Sequence, residues 1–251
     1  MASHYDHYDY PKYWTTREYE HKCEEIAINA FLRRCQSVKN ALDIGAGYGR
    51  LTKVYLHRVK KIYLTDPSAK LLALARKNLK HNKKIVFVQS CLSNLKNQIP
   101  NTKFDLVFFV RVMHHMENQK ETIKEIGRFV NEHGFLVLEV PNKRHFKAVA
   151  KQVLCGNFTY SLDIFPKDIR CAQSIKEKSI PFVNYHPDVT IKILKEEGYK
   201  IIEVRSVSNL RLSYLKGIFP IETLLSIEEK LQVFLGRFFF GPSIFILAQK
   251  G

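Results

Sequence analysis

A chain of 251 residues with 45% apolar and 25% charged side chains has the balance of an ordinary globular protein, sized for one domain carrying an insertion. It holds no uninterrupted apolar run of about 18 residues, which excludes a membrane-spanning helix. Its five cysteines, odd in number and without a C-x-x-C pair, argue against a disulfide framework or a metal site, and the net charge of +16 raises the question of an anionic partner.

The opening, MASHYDHYDYPKYW, lacks the apolar core of a leader, so a cytoplasmic chain with reduced thiols is expected. Residues 17–35 read as an amphipathic helix. Cys23, Ile26, Ala27, Ala30 and Phe31 share one stripe, and Glu24, Glu25, Arg33 and Arg34 fall mostly opposite. Strand and helix then alternate. NALDIG is a short apolar strand running into glycines, followed by a helix from about Arg50 to His57. KIYLTD is a second strand, and Pro67-Ser68 opens a helix over Leu71, Leu72, Ala75 and Leu79. KIVFVQS and FDLVFFV are the third and fourth strands. A helix near Thr122–Val130 turns Ile123, Ile126, Phe129 and Val130 inward, and GFLVLEV is a fifth strand stopped by Pro141. Apolar strands separated by helices signal a parallel sheet covered on both faces. Residues 142–186 lose this rhythm and read as an insertion. PDVTIKILKEEG (187–198) restores a helix, YKIIEVRSV and PSIFILAQK are two more strands, and 217–237 between them is a helical excursion.

The segment Gly45-Ala46-Gly47-Tyr48-Gly49-Arg50 is the first clue to function. A P-loop needs Lys-Ser or Lys-Thr after its last glycine, and none follows. The dinucleotide fingerprint needs a third glycine where Arg50 stands, and Asp43 adds a carboxylate where a pyrophosphate would sit. The same features suit a cationic ligand with one carboxylate and no phosphate, such as S-adenosylmethionine. Asp43 is placed to hold its ammonium. Gly45, Ala46 and Gly47 let the amino-acid part lie along the turn, and the following helix N-terminus offers N–H groups to the carboxylate. Asp66, at the end of the second strand with Pro67 beside it, is placed to accept both ribose hydroxyls; its alternative, a helix cap, is compatible.

With ALDIGAGYGR, YLTDPS, FVQSCLSNL, FDLVFFVRVMHHM and GFLVLEVPN in this order, the chain resembles the class I S-adenosylmethionine-dependent methyltransferases of the broad small-molecule group. The resemblance covers roughly residues 13–143. It implies an α/β, Rossmann-like fold with a seven-stranded, mostly parallel sheet, one antiparallel strand and helices on both faces. It divides the single domain into an N-terminal lid and helix (1–39), a cofactor-binding core (40–141), an acceptor-side insertion and helix (142–198) and C-terminal strands with a helical excursion (199–251). Carried over by position, Asp43, Gly45 and Gly47 line the methionine end and Asp66 the ribose. The family often has an acid or amide at the position of Cys91, which leaves backbone at Cys91 and Leu92 to read the adenine. Val110 and Arg111 end the fourth strand between donor and acceptor.

Around the acceptor, the candidates for general base or anchor are Arg111, His114 and His115, with Tyr185 and His186 from the insertion. Arg111 is the anchor for an acidic acceptor, or else an ion-pair partner of an acid such as Glu139. His114 and His115 open the helix after the fourth strand and point about 100° apart, so metal binding is not expected. YPKYWTTREYE (10–20) resembles the family's N-terminal lid, with Tyr13, Trp14 and Tyr19 over the cofactor and Arg17 reaching the methionine carboxylate.

Between residues 50 and 103, Asp66 is the only acid among 13 Lys and Arg. This excess is read as solvated helix faces rather than a nucleic-acid footprint, because FVRV replaces the motif that receives a flipped base. Residues 217–240, with Ile221, Leu224, Leu225, Leu231 and three successive phenylalanines, either cover the sheet or touch a membrane peripherally. The expectation is methyl transfer to a small-molecule acceptor, with apolar and lipid-linked compounds among the candidates. RNA methyl transfer and a non-catalytic binder of the same fold are the alternatives.

Overall fold

In the computed structural model, residues 9–80, 82–100, 102–176 and 179–251 are described. Residues 1–8 of the opening and His81 of the basic run 76–84 lie outside them. In chain order the helices are α1 (Tyr10–Trp14), α2 (Glu18–Arg34), α3 (Thr52–Tyr55), α4 (Ala69–Asn78), α5 (Leu92–Gln98), α6 (Gln119–Gly127), α7 (Phe146–Leu154), α8 (Ala172–Lys176), α9 (Pro187–Glu196), α10 (Ser213–Ile218) and α11 (Ile221–Gly236). The main strands are β1 (Asn40–Ile44), β2 (Lys61–Asp66), β3 (Ile85–Gln89), β4 (Phe104–Phe109), β5 (Val130–Pro141), β6 (Tyr199–Val207) and β7 (Ser243–Lys250).

These seven strands form one sheet in the order β3-β2-β1-β4-β5-β7-β6. The first five run parallel, while β7 lies antiparallel between β5 and β6. The strands are apolar throughout because both faces are covered. Along β4, Leu106 and Phe108 join the cluster under α2 and α11, whereas Val107 and Phe109 join the one under α5, α6 and α9. Parallel order places the carboxyl ends of β1, β2 and β4 at one edge, and the order reverses between β1 and β4, where open α/β sheets bind ligands.

Some boundaries differ from the sequence reading. The helix placed near 122–130 runs from Gln119 to Gly127, because the Asn118 side chain caps it by accepting from the Glu121 N–H at 3.2 Å. Val130 leaves the helix to pair with Phe104 in the sheet. The helix expected over 50–57 is one turn of α-helix followed by a 3₁₀ turn, Leu56–Arg58. His114 and His115 lie in a separate 3₁₀ turn, Met113–His115, ahead of α6.

The insertion carries α7, α8, a short 3₁₀ turn at Tyr160–Leu162 and a two-stranded ribbon pairing Lys167–Asp168 with Val183–Asn184. The excursion before β7 covers the sheet. Leu224 is buried, Ile221 and Leu225 pack against the same core, and α11 lies against α2 and β6. No helix of the described residues is long and apolar enough to cross a membrane.

Candidate active site

The loop after β1 is fastened to β2. The N–H groups of Gly45 and Ala46 donate to the Thr65 carbonyl at 2.8 and 2.9 Å, and the Gly47 N–H donates to Asp66 Oδ2 at 2.9 Å. Gly45 has a φ of +75°, and a Cβ there would collide with the Val112 side chain. Asp66 Oδ1 accepts from the Ser68 N–H at 2.8 Å, and the Ser68 hydroxyl caps α4. The cap of this helix is therefore Ser68 rather than the expected alternative, Asp66, which ties the glycine loop to the end of β2.

Two adjoining cavities open along this loop. The larger is lined by Gly45, Gly47, Asp66, Pro67, Cys91 and Leu92, with Tyr10, Leu71, Met116 and Ile180 adding apolar walls. Cys91 is exposed, its sulfur 3.2 Å from the Ser93 hydroxyl, and it immediately precedes α5. The smaller cavity is lined by Asp43, Gly45, Ala46, Arg50, Tyr55, Phe108 and Val110; Tyr10 and Arg111 border both. Burial pushes the Asp43 carboxyl up to about 7, against the hydrogen bond donated by the Tyr55 hydroxyl to its Oδ2. The Tyr55 ring stacks on Phe108 at 4.0 Å between centroids, which holds that hydroxyl in place.

Glu24 organises the wall of the smaller cavity. Its carboxylate is fully buried, paired with Arg50 Nη2 at 2.5 Å and with Arg111, whose Nε lies 2.7 Å away. Burial alone would raise this carboxyl, but Arg111 and Arg50 outweigh it and hold it below its ordinary value. The helical stripe had placed Glu24 on the polar face; two converging arginines bury it instead. Arg111 has a φ of +63°, its N–H donates to Glu139 Oε2 at 3.1 Å, and its Nη1 lies 3.8 Å from Glu139 Oε1. Its guanidinium is thus taken up by Glu24 and Glu139 rather than presented unpaired to an acceptor.

The N-terminal segment also departs from the expected lid. Tyr10, which the sequence did not single out, borders both cavities. Trp14 is buried, with the Arg50 guanidinium 3.5 Å from its ring centroid and Tyr10 against it edge-on at 6.4 Å. Arg17 lies over the partly exposed Tyr13 ring at 4.1 Å and does not line either cavity, whereas Arg50 lines the smaller one. Tyr19 belongs to the core and donates its hydroxyl to Glu228 Oε2 at 2.7 Å. The loop N–H groups of Gly45, Ala46 and Gly47 are bonded within the protein, and the cationic side chains on the smaller cavity's lining are those of Arg50 and Arg111.

On the acceptor side, His115 lines the larger cavity with Nδ1 2.9 Å from the Pro181 carbonyl. His114 is buried against His115 and Phe182, ring centroids 3.9 and 4.4 Å away, and burial lowers it well below the ordinary imidazole range. No group of three metal-ligating side chains occurs among the described residues. Tyr185 and His186 line neither cavity. The Tyr185 hydroxyl donates to the Met116 carbonyl, and His186 Nε2 lies 3.1 Å from the Ser161 carbonyl, so both fasten the insertion to the domain.

Residues 42–138 match the family described as a methyltransferase domain. An uncharacterized methyltransferase of Anoxybacillus flavithermus is 29% identical over 105 residues, covering 42% of this chain and 46% of the relative. The chain thus matches less than half the length of that protein. Among solved structures, the N-methyltransferase NodS of Bradyrhizobium japonicum with bound S-adenosyl-L-homocysteine has a TM-score of 0.60 at 14% identity, covering 98% of this chain and 94% of that one. The magnesium protoporphyrin IX methyltransferase of Synechocystis, also with S-adenosyl-L-homocysteine, has a TM-score of 0.56 at 16% identity, covering 92% and 84%. Both likenesses establish the fold. Arg50 stands beyond the loop glycines as a cation that closes the smaller cavity.

Proposed function

We propose that the chain transfers a methyl group from S-adenosylmethionine to a small-molecule acceptor of apolar or lipid-linked character. The observation that carries the reading is the Asp66 carboxylate. It is bonded to the Gly47 and Ser68 N–H groups and lines the larger cavity at the end of β2. There it is placed to accept ribose hydroxyls, with Leu71, Leu92 and Met116 as apolar surfaces for the adenine. Asp43, Arg50 and Arg111 supply one acid and two cations for the ammonium and the carboxylate of the donor.

The bound sulfonium supplies an activated methyl carbon. The protein's contribution is alignment, which can lower a barrier by about 7–11 kcal/mol when reactants are held in line. Tyr10, backed by the buried Trp14, borders the donor end, and Val112, Met116 and Ile180 give the neighbouring space an apolar lining that suits an apolar acceptor. Among the described residues His115 is the one histidine on this lining, so it is the proposed proton acceptor where the substrate arrives protonated.

Titration calorimetry tests the donor site. S-adenosylmethionine binds the wild type, and Asp66→Ala weakens binding by more than tenfold with the melting temperature monitored as a folding control. Absence of heat at millimolar ligand rejects the proposal. Radiolabelled methyl transfer into fractionated extract then reports the acceptor class, with label in the organic phase as the expected result.

A further inference from the structure

We propose that the described residues between 143 and 182 of the insertion form a docking surface for an anionic lipid bilayer. Several of its large apolar side chains stand clear of the protein. Leu154 is 87% exposed, Leu162 74%, and Phe158 and Phe165 73% each, with Ile164 and Ile169 also exposed. Helix α7 buries none of its residues. Protruding side chains of this size match the headgroup and acyl boundary, into which amphipathic elements sink about 5–10 Å.

The charge of the segment selects the lipid. Residues 143–182 contain eight Lys and Arg against three acids. Asp163 is held by Lys143 Nζ at 2.6 Å and Asp168 by Arg170 Nη2 at 2.6 Å, so the two described acids are neutralised within the insertion. Arg144 pairs with Asp188. Lys147, Lys151, Lys167 and Lys176 are exposed on the same stretch, a cationic complement to anionic headgroups. A second copy of the chain would bring like charges together, and aliphatic side chains such as Leu154 and Ile164 do not stack on nucleic-acid bases.

The surface is continuous with the candidate active site. Ile180 lines the larger cavity, the Pro181 carbonyl lies 2.9 Å from His115 Nδ1, and Phe182 packs on His114. The inference goes beyond methyl transfer, and its test contains no S-adenosylmethionine, so its failure leaves the donor-site reading untouched.

The full chain is sedimented with vesicles of phosphatidylcholine alone or with about one third phosphatidylglycerol, at about 0.1 M salt. Bound protein is expected with the anionic vesicles and at least about tenfold less with the neutral ones. Phe158→Ser/Phe165→Ser and Lys147→Glu/Lys151→Glu should each lower binding about tenfold without changing the melting temperature. The proposal is overturned if anionic vesicles pellet no more protein than neutral ones, or if both variants bind like wild type. It is equally overturned if the phenylalanine variant turns a dimer into a monomer, or if the lysine variant loses RNA binding while still pelleting with vesicles.

Discussion

Asp43 and Asp66 end neighbouring strands, yet their surroundings give them different chemistry. Asp66 is fixed by two backbone N–H groups, whereas Asp43 is buried and receives the Tyr55 hydroxyl. Because the folded Asp43 carboxyl titrates at about 7 and its ordinary value is 3.8, the folded chain holds a proton between those values that the unfolded chain has released. The stability from this group is complete below the lower value and is lost as pH rises through the higher one. The ligand-free protein should lose a few degrees of melting temperature between pH 6 and 8, about 1.4 kcal/mol per unit at most, and Asp43→Asn should flatten that slope. Differential scanning calorimetry at matched ionic strength checks this. At this scale the glycines, Asp43 and Asp66 were legible, because a local turn and a strand end fix where they stand. Glu24 and Tyr10 were not: Glu24 is buried by arginines 26 and 87 residues away, a pairing no local pattern carries.

Helix α2 shows how one element serves both core and site. Its stripe of Cys23, Ala27 and Phe31 packs on the sheet as its periodicity predicts, while Glu24 reaches the loop after β1 and the end of β4. Removing a single member of a buried ion-pair network leaves its partners uncompensated, at a cost of about 3–5 kcal/mol. Glu24→Ala should therefore lower the melting temperature by about 10 °C and weaken S-adenosylmethionine binding, read by calorimetry on the same preparation. An unchanged melting temperature would show that Arg50 and Arg111 find other partners. Strands β1 to β5 and the pair β6 and β7 were legible as apolar runs between turn signals. The insertion was legible only as a break in rhythm, since α7 and α8 have no buried face to impose a period.

The whole molecule is closed by its last segments. α11 buries Glu228 and Gln232 against α2, with Tyr19 donating to Glu228 and the Gln232 amide donating to the Cys23 carbonyl at 3.0 Å. β7 fills the space between β5 and β6. A chain ending after Lys216 should accordingly lack cooperative thermal unfolding and bind no S-adenosylmethionine, by circular dichroism and calorimetry, although residues 42–138 remain intact. The seven strands with one antiparallel were legible from the resemblance, whereas the polar seam between α2 and α11 was not, because charged residues spaced along a helix read as solvent-facing.

That seam sets a timetable during synthesis. The loop after β1 leaves the ribosome early, but the polar seam along the helix carrying Glu24 closes only when the region around residues 228–232 has left the exit tunnel. A nascent polypeptide therefore carries the glycine loop well before it carries the seam, and one released between the two points should hold the motif without the clamp on its neighbouring helix.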